Sequence, residues 1–213
     1  MKIEPLKIGD LIAQIPVIQG GMGVGISLSG LAGAVALEGG IGILSTAQIG
    51  YQDKEFDRNP IETNLRVLKE QILKAKEIAK GGIIGVNIMV ATRRYEDYVK
   101  AAVKAGVDLI ICGAGLPMKL PELVEKSKTK IAPIVSSVKS AEVICKYWQK
   151  KYERLPDMIV IEGPKAGGHL GFTKEQIDEY LEKDNYDEEI QKIILHGMHA
   201  CAVTCSMWKT GHG

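Results

Sequence analysis

The stretch that decides the fold is an apolar run that passes directly into a glycine-rich turn: Met158-Ile159-Val160-Ile161-Glu162-Gly163-Pro164-Lys165-Ala166-Gly167-Gly168-His169. The run is short, rich in β-branched residues and not alternating, as in a strand buried on both faces of a parallel sheet. Adjacent glycines let a backbone lie against a flat ligand, where a Cβ would clash. The histidine that follows has an unperturbed pKa near ~6.5, which suits proton transfer at neutral pH. After a buried strand, this segment is predicted to be an active-site loop, with a flexible turn as the alternative.

Five similar runs precede it, at residues 16–19, 41–45, 83–90, 109–112 and 132–136, and helical patterns separate them. Strict β/α alternation with right-handed crossovers leaves an open doubly wound sheet or a closed eight-stranded barrel. A dinucleotide-binding sheet has a spaced glycine fingerprint after its first strand and an acidic residue after its second. Here the first run enters Gly20-Gly21-Met22-Gly23-Val24-Gly25 without that spacing, and the second ends in Ser45-Thr46. We therefore predict an α/β fold, a TIM (β/α)8 barrel that is incomplete, with about six β/α units.

The helices are predicted from apolar stripes and from the residues that begin and end them. Ser27 is expected to cap a helix that Gly39 ends, and Pro60 to begin a longer helix that ends at Gly81-Gly82. Thr173 and Gln176 have the spacing of a capping box. Further stripes predict helices near residues 95–106, 141–148, 173–183 and 187–195.

The composition fits one globular domain. The chain has 213 residues, of which 46% are hydrophobic, and a net charge of +1, so neither a nucleic acid nor a membrane surface is an expected partner. Charged residues interrupt the first apolar stretch, and no run approaches the ~18 apolar residues of a membrane-spanning helix. A cytoplasmic location is expected, in which Cys112 and Cys145 would be buried, reduced thiols.

Several of these segments, in this order, resemble the nitronate monooxygenase family, formerly called 2-nitropropane dioxygenases. They are Val17-Ile18-Gln19-Gly20-Gly21-Met22-Gly23, Gly39-Gly40-Ile41-Gly42, Gly85-Val86-Asn87, Ile134-Val135-Ser136-Ser137 and Ala166-Gly167-Gly168-His169. That family binds FMN in a TIM barrel and includes the similar flavin-dependent enoyl-acyl carrier protein reductases. The resemblance runs from about residue 3 to about residue 180.

The resemblance implies a role for each matching residue. The turn formed by Gly20, Gly21, Met22 and Gly23 would line the flavin with backbone groups, and Asn87 would hydrogen-bond the isoalloxazine. Asn87 could instead simply end a strand. Glu162 stands where many relatives have glutamine beside the flavin. Gly167 and Gly168 would let their loop reach the cofactor, and His169 would be the catalytic base or a substrate-orienting group, with a purely structural role as its alternative.

Two departures from the family pattern bear on chemistry. Lys165 stands where many relatives have glutamate, which changes the sign of a charge near the site and puts the family's substrate preference in question. Glu162 can accept a hydrogen bond as glutamine does, but cannot donate one unless it is protonated.

A third departure is at the end of the chain. After His169 the sequence predicts two helices but no seventh or eighth strand, so residues 1–195 are assigned to an incomplete FMN barrel and residues 196–213 to an atypical tail of a truncated or frame-shifted product. TIM barrels hold cofactor phosphates on the loops after the last two strands, so little FMN retention is expected. Zinc-type ligands in the tail have poor spacing for a metal site, and no metal is predicted; they are His196, His199, Cys201 and Cys205.

The function implied by the resemblance is FMN-dependent oxidation of nitroalkanes or nitronates with O2, in which a base first removes the α-proton. One alternative is an FMN- and NAD(P)H-dependent enoyl-acyl carrier protein reductase. Another is a non-catalytic barrel fragment that pairs its exposed sheet edge with another chain. A small-molecule substrate is expected in the first two cases, and the sequence leaves homo-oligomer formation open.

Overall fold

The computed structural model describes residues 4–166, 171–195 and 202–205, with Leu195 and the last four residues described by their backbone alone. A six-stranded parallel sheet runs in chain order, β3-β4-β5-β6-β7-β8, beside a short hairpin, β1-β2. The strands are β1 (Leu6–Ile8), β2 (Leu11–Ala13), β3 (Ile41–Ser45), β4 (Ile83–Met89), β5 (Leu109–Gly113), β6 (Lys130–Val135), β7 (Ile159–Glu162) and β8 (Ala202–Cys205). Helices lie between consecutive strands of the sheet, which confirms the predicted α/β TIM-barrel arrangement in incomplete form.

The helices are α1 (Ser29–Leu37), α2 (Pro60–Ala79), α3 (Tyr95–Lys104), α4 (Leu120–Val124), α5 (Val138–Tyr152), α6 (Lys174–Lys183) and α7 (Tyr186–Leu195). The predicted start of α2 at Pro60 is confirmed, as is the capping box of Thr173 and Gln176 before α6. Ser27 does not cap α1. The N-cap is Leu28, because the Ser27 hydroxyl is used in the glycine turn that precedes the helix.

The predicted first strand, residues 16–19, is reduced to one parallel bridge between Ile18 and Ile41. The cause is a side chain that replaces the backbone ladder. Gln19 N–H still donates to Ile41 O (3.0 Å). At Ile43, the next position of β3 that faces this segment, the Gln19 side chain makes the hydrogen bonds that a strand backbone would make. Its Nε2 donates to Ile43 O (3.0 Å) and its Oε1 accepts from Ile43 N–H (3.4 Å). The chain is thereby freed from β3 and turns at Gly20.

The prediction that no strand follows His169 is wrong at residues 202–205. This segment forms β8, which pairs in parallel with β7 in a register that places Ala202 opposite Ile159 and Cys205 opposite Glu162. Unlike β7, this segment contains a single large aliphatic residue, Val203, and no glycine turn directly follows it, so it lacks the pattern of the other strands.

Alternate residues of each central strand point to opposite faces of the sheet, and the two faces have separate cores. The outer core lies between the sheet and the helices and includes Leu68, Ile110 and Trp148. The inner core contains Leu6 and Ile8 of the hairpin together with inward residues of the sheet: Ile41, Ile43, Ile83, Leu109, Ile111, Ala132, Met158 and Val160. The hairpin therefore covers the inner core.

The hairpin lies at the amino ends of the strands, because Asp10 in its turn forms an ion pair with Lys130 at the start of β6 (2.5 Å). Two aspartates secure the same end of the sheet. Asp108, just before β5, accepts from Ile84 N–H of β4 (2.9 Å) and pairs with Lys76 (2.8 Å). Asp157, just before β7, accepts from Ile131 N–H of β6 (2.9 Å) and pairs with Arg154 (2.9 Å). The carboxyl ends of the strands, at the opposite end of the sheet, are where a functional site is expected.

Candidate functional site

The inward face of the sheet changes from apolar to polar or small residues at the carboxyl ends of the strands. Continuing the alternation that buries Ile43, Leu109 and Val160 in the inner core, the next inward positions are Ser45, Asn87, Gly113, Ser136 and Glu162. These positions come from five neighbouring strand ends. In a TIM barrel, this end carries the active site.

The glycine turn at residues 20–23 is built around the hydroxyl of Ser27. This buried hydroxyl donates to Gly20 O (3.1 Å) and accepts from Met22 N–H (2.9 Å) and from Gln19 Nε2 (2.9 Å). One donor and two acceptor positions complete its hydrogen-bonding capacity. The turn is therefore fixed from beneath, while Met22 stays 38% exposed.

The turn lies directly against the end of β4. A Cβ on Gly21 would be 2.6 Å from Asn87 Cβ and 3.0 Å from Asn87 Nδ2, so only glycine allows this approach. Gly23 is similarly close to Ala47, whose carbonyl accepts from Val24 N–H (3.0 Å). Gly20, in contrast, has open space where a Cβ would stand.

Asn87 is half-buried and is held by its backbone. Its carbonyl accepts from both Thr46 N–H (3.1 Å) and Thr46 Oγ1 (3.0 Å), which ties β4 to the end of β3. Its side-chain amide makes no hydrogen bond with another described residue. Two donor hydrogens and a carbonyl oxygen are therefore positioned beside the glycine turn and remain available to a ligand.

Glu162 ends β7 and is also half-buried. Its Oε2 accepts from Gly171 N–H (2.8 Å). Burial raises the pKa of this carboxyl, and the hydrogen bond from Gly171 partly opposes that rise. β5 and β6 separate Glu162 from Asn87 in the sheet, so at about 4.8 Å per strand the two lie roughly 14 Å apart along this edge.

The structure therefore brings Gly21 and Asn87 together and places Glu162 at the same end of the sheet. Gly167, Gly168 and His169 lie outside the described residues. The residues on either side of them are described: Ala166 N–H donates to Gly163 O (3.0 Å), and Gly171 binds Glu162. Lys165 forms a surface ion pair with Asp184 (3.7 Å) with 72% of its side chain exposed.

Three residues of this site were missed in the sequence. Ser136 Oγ donates to Gly171 O (2.8 Å), and Tyr186 Oη donates to the carbonyls of Ser136 and Glu162. Gln19 and Ser136 both belonged to motifs quoted for the family resemblance, but neither was given a role of its own in the site. The signal for Gln19 and Ser136 was their polarity at the end of an apolar run; Tyr186 gave none.

Two N–H groups at the amino end of α5 are already paired within the protein. Ser140 N–H donates to Ser137 Oγ (3.2 Å), and Val138 N–H donates to Glu189 Oε1 (2.8 Å). A helix N-terminus binds a phosphate through such N–H groups, and here protein oxygens already accept from them.

The described residues give no support for metal or thiol chemistry. Among them, no group of three or more His, Cys, Asp or Glu side chains could hold a metal ion; the tail side chains considered for zinc lie outside the described set. Cys112 and Cys145 are buried, as predicted. Burial raises the pKa of the Cys112 thiol to about 12 and that of Cys145 to about 11, so both stay protonated at neutral pH. No helix in the described ranges has the length and apolarity needed to cross a membrane.

Comparison with known proteins gives a match to one family model and to several solved structures, three of which follow. The family model described as nitronate monooxygenase matches residues 5–192. The solved structure of FabK from Thermotoga maritima is 23% identical over 90% of this chain and 57% of its own, with a TM-score of 0.59. A FabK mutant from the same organism is 21% identical over 89% of this chain and 52% of its own, with a TM-score of 0.64.

The third solved structure is that of nitroalkane oxidase from Streptomyces ansochromogenes, which is 16% identical over 89% of this chain and 57% of its own, with a TM-score of 0.65. The chain thus spans about half the length of these structures. No curated protein matches it by sequence.

Proposed function

The chain belongs to the nitronate monooxygenase family, and we propose that it is an FMN-dependent oxidoreductase that oxidises nitroalkanes or their nitronates with O2. The observation that carries this proposal is the contact between the glycine turn and Asn87. A backbone surface that only glycine permits lies beside an amide whose hydrogen-bonding groups have no partner among the described residues. A flat heterocycle with donor and acceptor atoms on its edge fits such a surface.

The residues present fit the flavin ring system. Backbone groups of residues 20–23 would face the ring, and the Asn87 amide would donate to, and accept from, its polar edge. Glu162 would bound the site from β7, where its carboxylate can accept a hydrogen bond. When bound, FMN supplies the electron transfer that oxidises a nitronate.

The protein's own chemical step in this proposal is proton removal. His169 Nδ1 or Nε2 would take the α-proton of a neutral nitroalkane and leave the substrate as its nitronate anion. An imidazole is suited to this step because its ordinary pKa lies near neutrality. The buried apolar layers beneath Asn87 and Glu162 would exclude water from the floor of the site.

A second candidate is a flavin-dependent enoyl-acyl carrier protein reductase that uses NAD(P)H. Overall fold does not separate the two, because the TM-scores to the FabK mutant and to the nitroalkane oxidase are 0.64 and 0.65. Both candidate functions use the same flavin site and differ in which compound reduces the flavin.

The test is to titrate the chain with FMN and then to mix the loaded protein, without oxygen, with a nitronate or with NAD(P)H in separate experiments. We expect the visible flavin absorbance to be lost with the nitronate but not with NAD(P)H. If the absorbance is lost with NAD(P)H but not with the nitronate, the chain is instead assigned as the reductase. Failure to bind FMN at saturating concentration would contradict both and favour the non-catalytic fragment.

A further inference from the structure

Tyr186, the first residue of α7, joins the carboxyl ends of two neighbouring strands. It is buried, and its Oη lies 3.0 Å from Ser136 O and 2.5 Å from Glu162 O. Ser136 directly follows β6 and Glu162 ends β7. The ladder of these two strands pairs Ile134 with Val160 and Val135 with Ile161, so the hydroxyl hydrogen is shared between two carbonyls just beyond the last backbone pair.

The same two residues hold Gly171 with their side chains. Ser136 Oγ donates to Gly171 O (2.8 Å), and Gly171 N–H donates to Glu162 Oε2 (2.8 Å). The fit is close, since a Cβ on Gly171 would stand 3.0 Å from Glu162 Oε2 and 3.1 Å from Ser136 Oγ. The geometry of Gly171 and of the Glu162 carboxylate therefore depends on how the two strand ends are spaced.

Two sets of contacts hold Tyr186 in place: an aromatic cluster around its ring, and a hydrogen bond between α7 and the backbone of α5. Its ring packs edge-on against Phe172 (5.6 Å between centroids) and Tyr180 (5.0 Å). One turn further along α7, Glu189 accepts from Val138 N–H at the start of α5 (2.8 Å). Phe172 directly follows Gly171, but the contacts with Tyr180 of α6 and between Glu189 and Val138 do not involve the Gly171 segment, so the hydroxyl can set the spacing of the strand ends.

We propose that Tyr186 is a positioning residue: its hydroxyl bridges β6 and β7 and thereby holds the Glu162 carboxylate and Gly171 in place at the candidate site. The consequence for catalysis rests on the proposed function. The bridge itself is a property of the folded chain and can be measured without flavin.

The chain offers a matched pair of variants. Tyr186→Phe removes the bridging hydroxyl and keeps the ring in its cluster. Tyr180→Phe makes the same atomic change in the same cluster, but the Tyr180 hydroxyl makes no hydrogen bond with another described residue. The amide of Gly50, which donates to Asn64 Oδ1 (2.7 Å) and lies elsewhere in the fold, serves as the internal reference.

The experiment measures hydrogen exchange at Gly171 N–H and Gly50 N–H in the flavin-free chain. Tyr186→Phe should speed exchange at Gly171 N–H about tenfold and leave the exchange rate at Gly50 N–H unchanged. Tyr180→Phe should change neither exchange rate. No acceleration at Gly171 would overturn the proposal. So would equal acceleration at both amides, because Tyr186 would then only stabilise the fold.

A second measurement tests whether the Tyr186 bridge affects catalysis. In flavin-loaded protein turning over a nitronate, Tyr186→Phe should lower kcat several-fold while KM changes by less than about twofold, since the bridge positions groups and does not bind substrate. A change in KM alone would contradict a positioning role. If the wild-type chain binds no FMN, the proposed function fails, whereas the exchange result still decides whether Tyr186 bridges the strands.

Discussion

The two ends of the barrel differ in how completely their polar groups are paired. At the amino ends of the strands, Asp108 and Asp157 each bind a backbone N–H of the neighbouring strand and a basic side chain. At the carboxyl ends, the Asn87 amide has no partner among the described residues and Gly20 faces open space. Because leaving a half-buried polar group unpaired costs stability, the comparison supports our proposal that one end maintains the fold and the other end binds a ligand.

The largest expected effect is at the carboxyl end. If His169 is the base, His169→Ala should lower turnover of neutral nitroalkanes by about 10²–10⁴-fold. Turnover of preformed nitronates should fall much less, because these have already lost the α-proton. Steady-state kinetics on both substrate forms provide the measurement. Equal losses would assign His169 to binding or to flavin positioning.

The next effect compares two glycines, one packed and one open. A Cβ on Gly42 of β3 would lie 1.8 Å from Ala32 O of α1, whereas a Cβ on Gly20 would meet nothing within 4 Å. Gly42→Ala should therefore lower the free energy of unfolding by about 3 kcal/mol or more, because α1 must move off the sheet. Gly20→Ala should stay within about 0.5 kcal/mol of wild type. Denaturant unfolding of both variants tests this contrast, which fails if the two change alike.

The smallest effect concerns Glu162 and pH. Burial raises the pKa of its carboxyl in the folded chain, so its contribution to stability is full at pH values below its ordinary pKa and is lost as pH rises through the raised value. Glu162→Gln keeps an acceptor for Gly171 N–H and carries no charge at any pH. The variant should gain stability over wild type on going from acidic to neutral pH. A stability difference that is constant with pH, or that shrinks on going to neutral pH, would contradict the raised pKa.

Most of the fold was predictable because its central strands are continuous apolar runs between clear turn residues. The predicted runs at 41–45, 109–112 and 132–136 overlap β3, β5 and β6 closely. The hairpin at Leu6–Ala13 was not predicted, although the sequence contains a signal for it. Gly9-Asp10 lies between two short, mainly apolar segments, and a two-residue Gly-Asp turn favours a hairpin. Helix α4 was also missed, because five residues do not complete two helical turns.

The site was predictable to the extent that strand ends could be located. In a parallel sheet these ends meet along one edge, so residues 20–23, Asn87 and Glu162 could be assigned to it from the sequence. The contacts that organise the edge could not be predicted. Gln19 replaces the strand ladder with its side chain, and Tyr186 reaches strand ends 24 and 50 residues away. Such contacts depend on three-dimensional placement and leave no local pattern.

The most direct test of the division between the two ends is a crossed measurement on Asn87→Ala and Asp108→Ala. For each variant and the wild type, the dissociation constant for FMN and the free energy of unfolding are determined under the same conditions. Asn87→Ala should weaken FMN binding at least about tenfold and leave the free energy of unfolding within about 0.5 kcal/mol of wild type. Asp108→Ala should lower that free energy by about 1–3 kcal/mol, because Ile84 N–H loses its acceptor, and leave the FMN dissociation constant unchanged. Parallel losses of affinity and stability in both variants, or unaltered FMN binding by Asn87→Ala, would contradict the account.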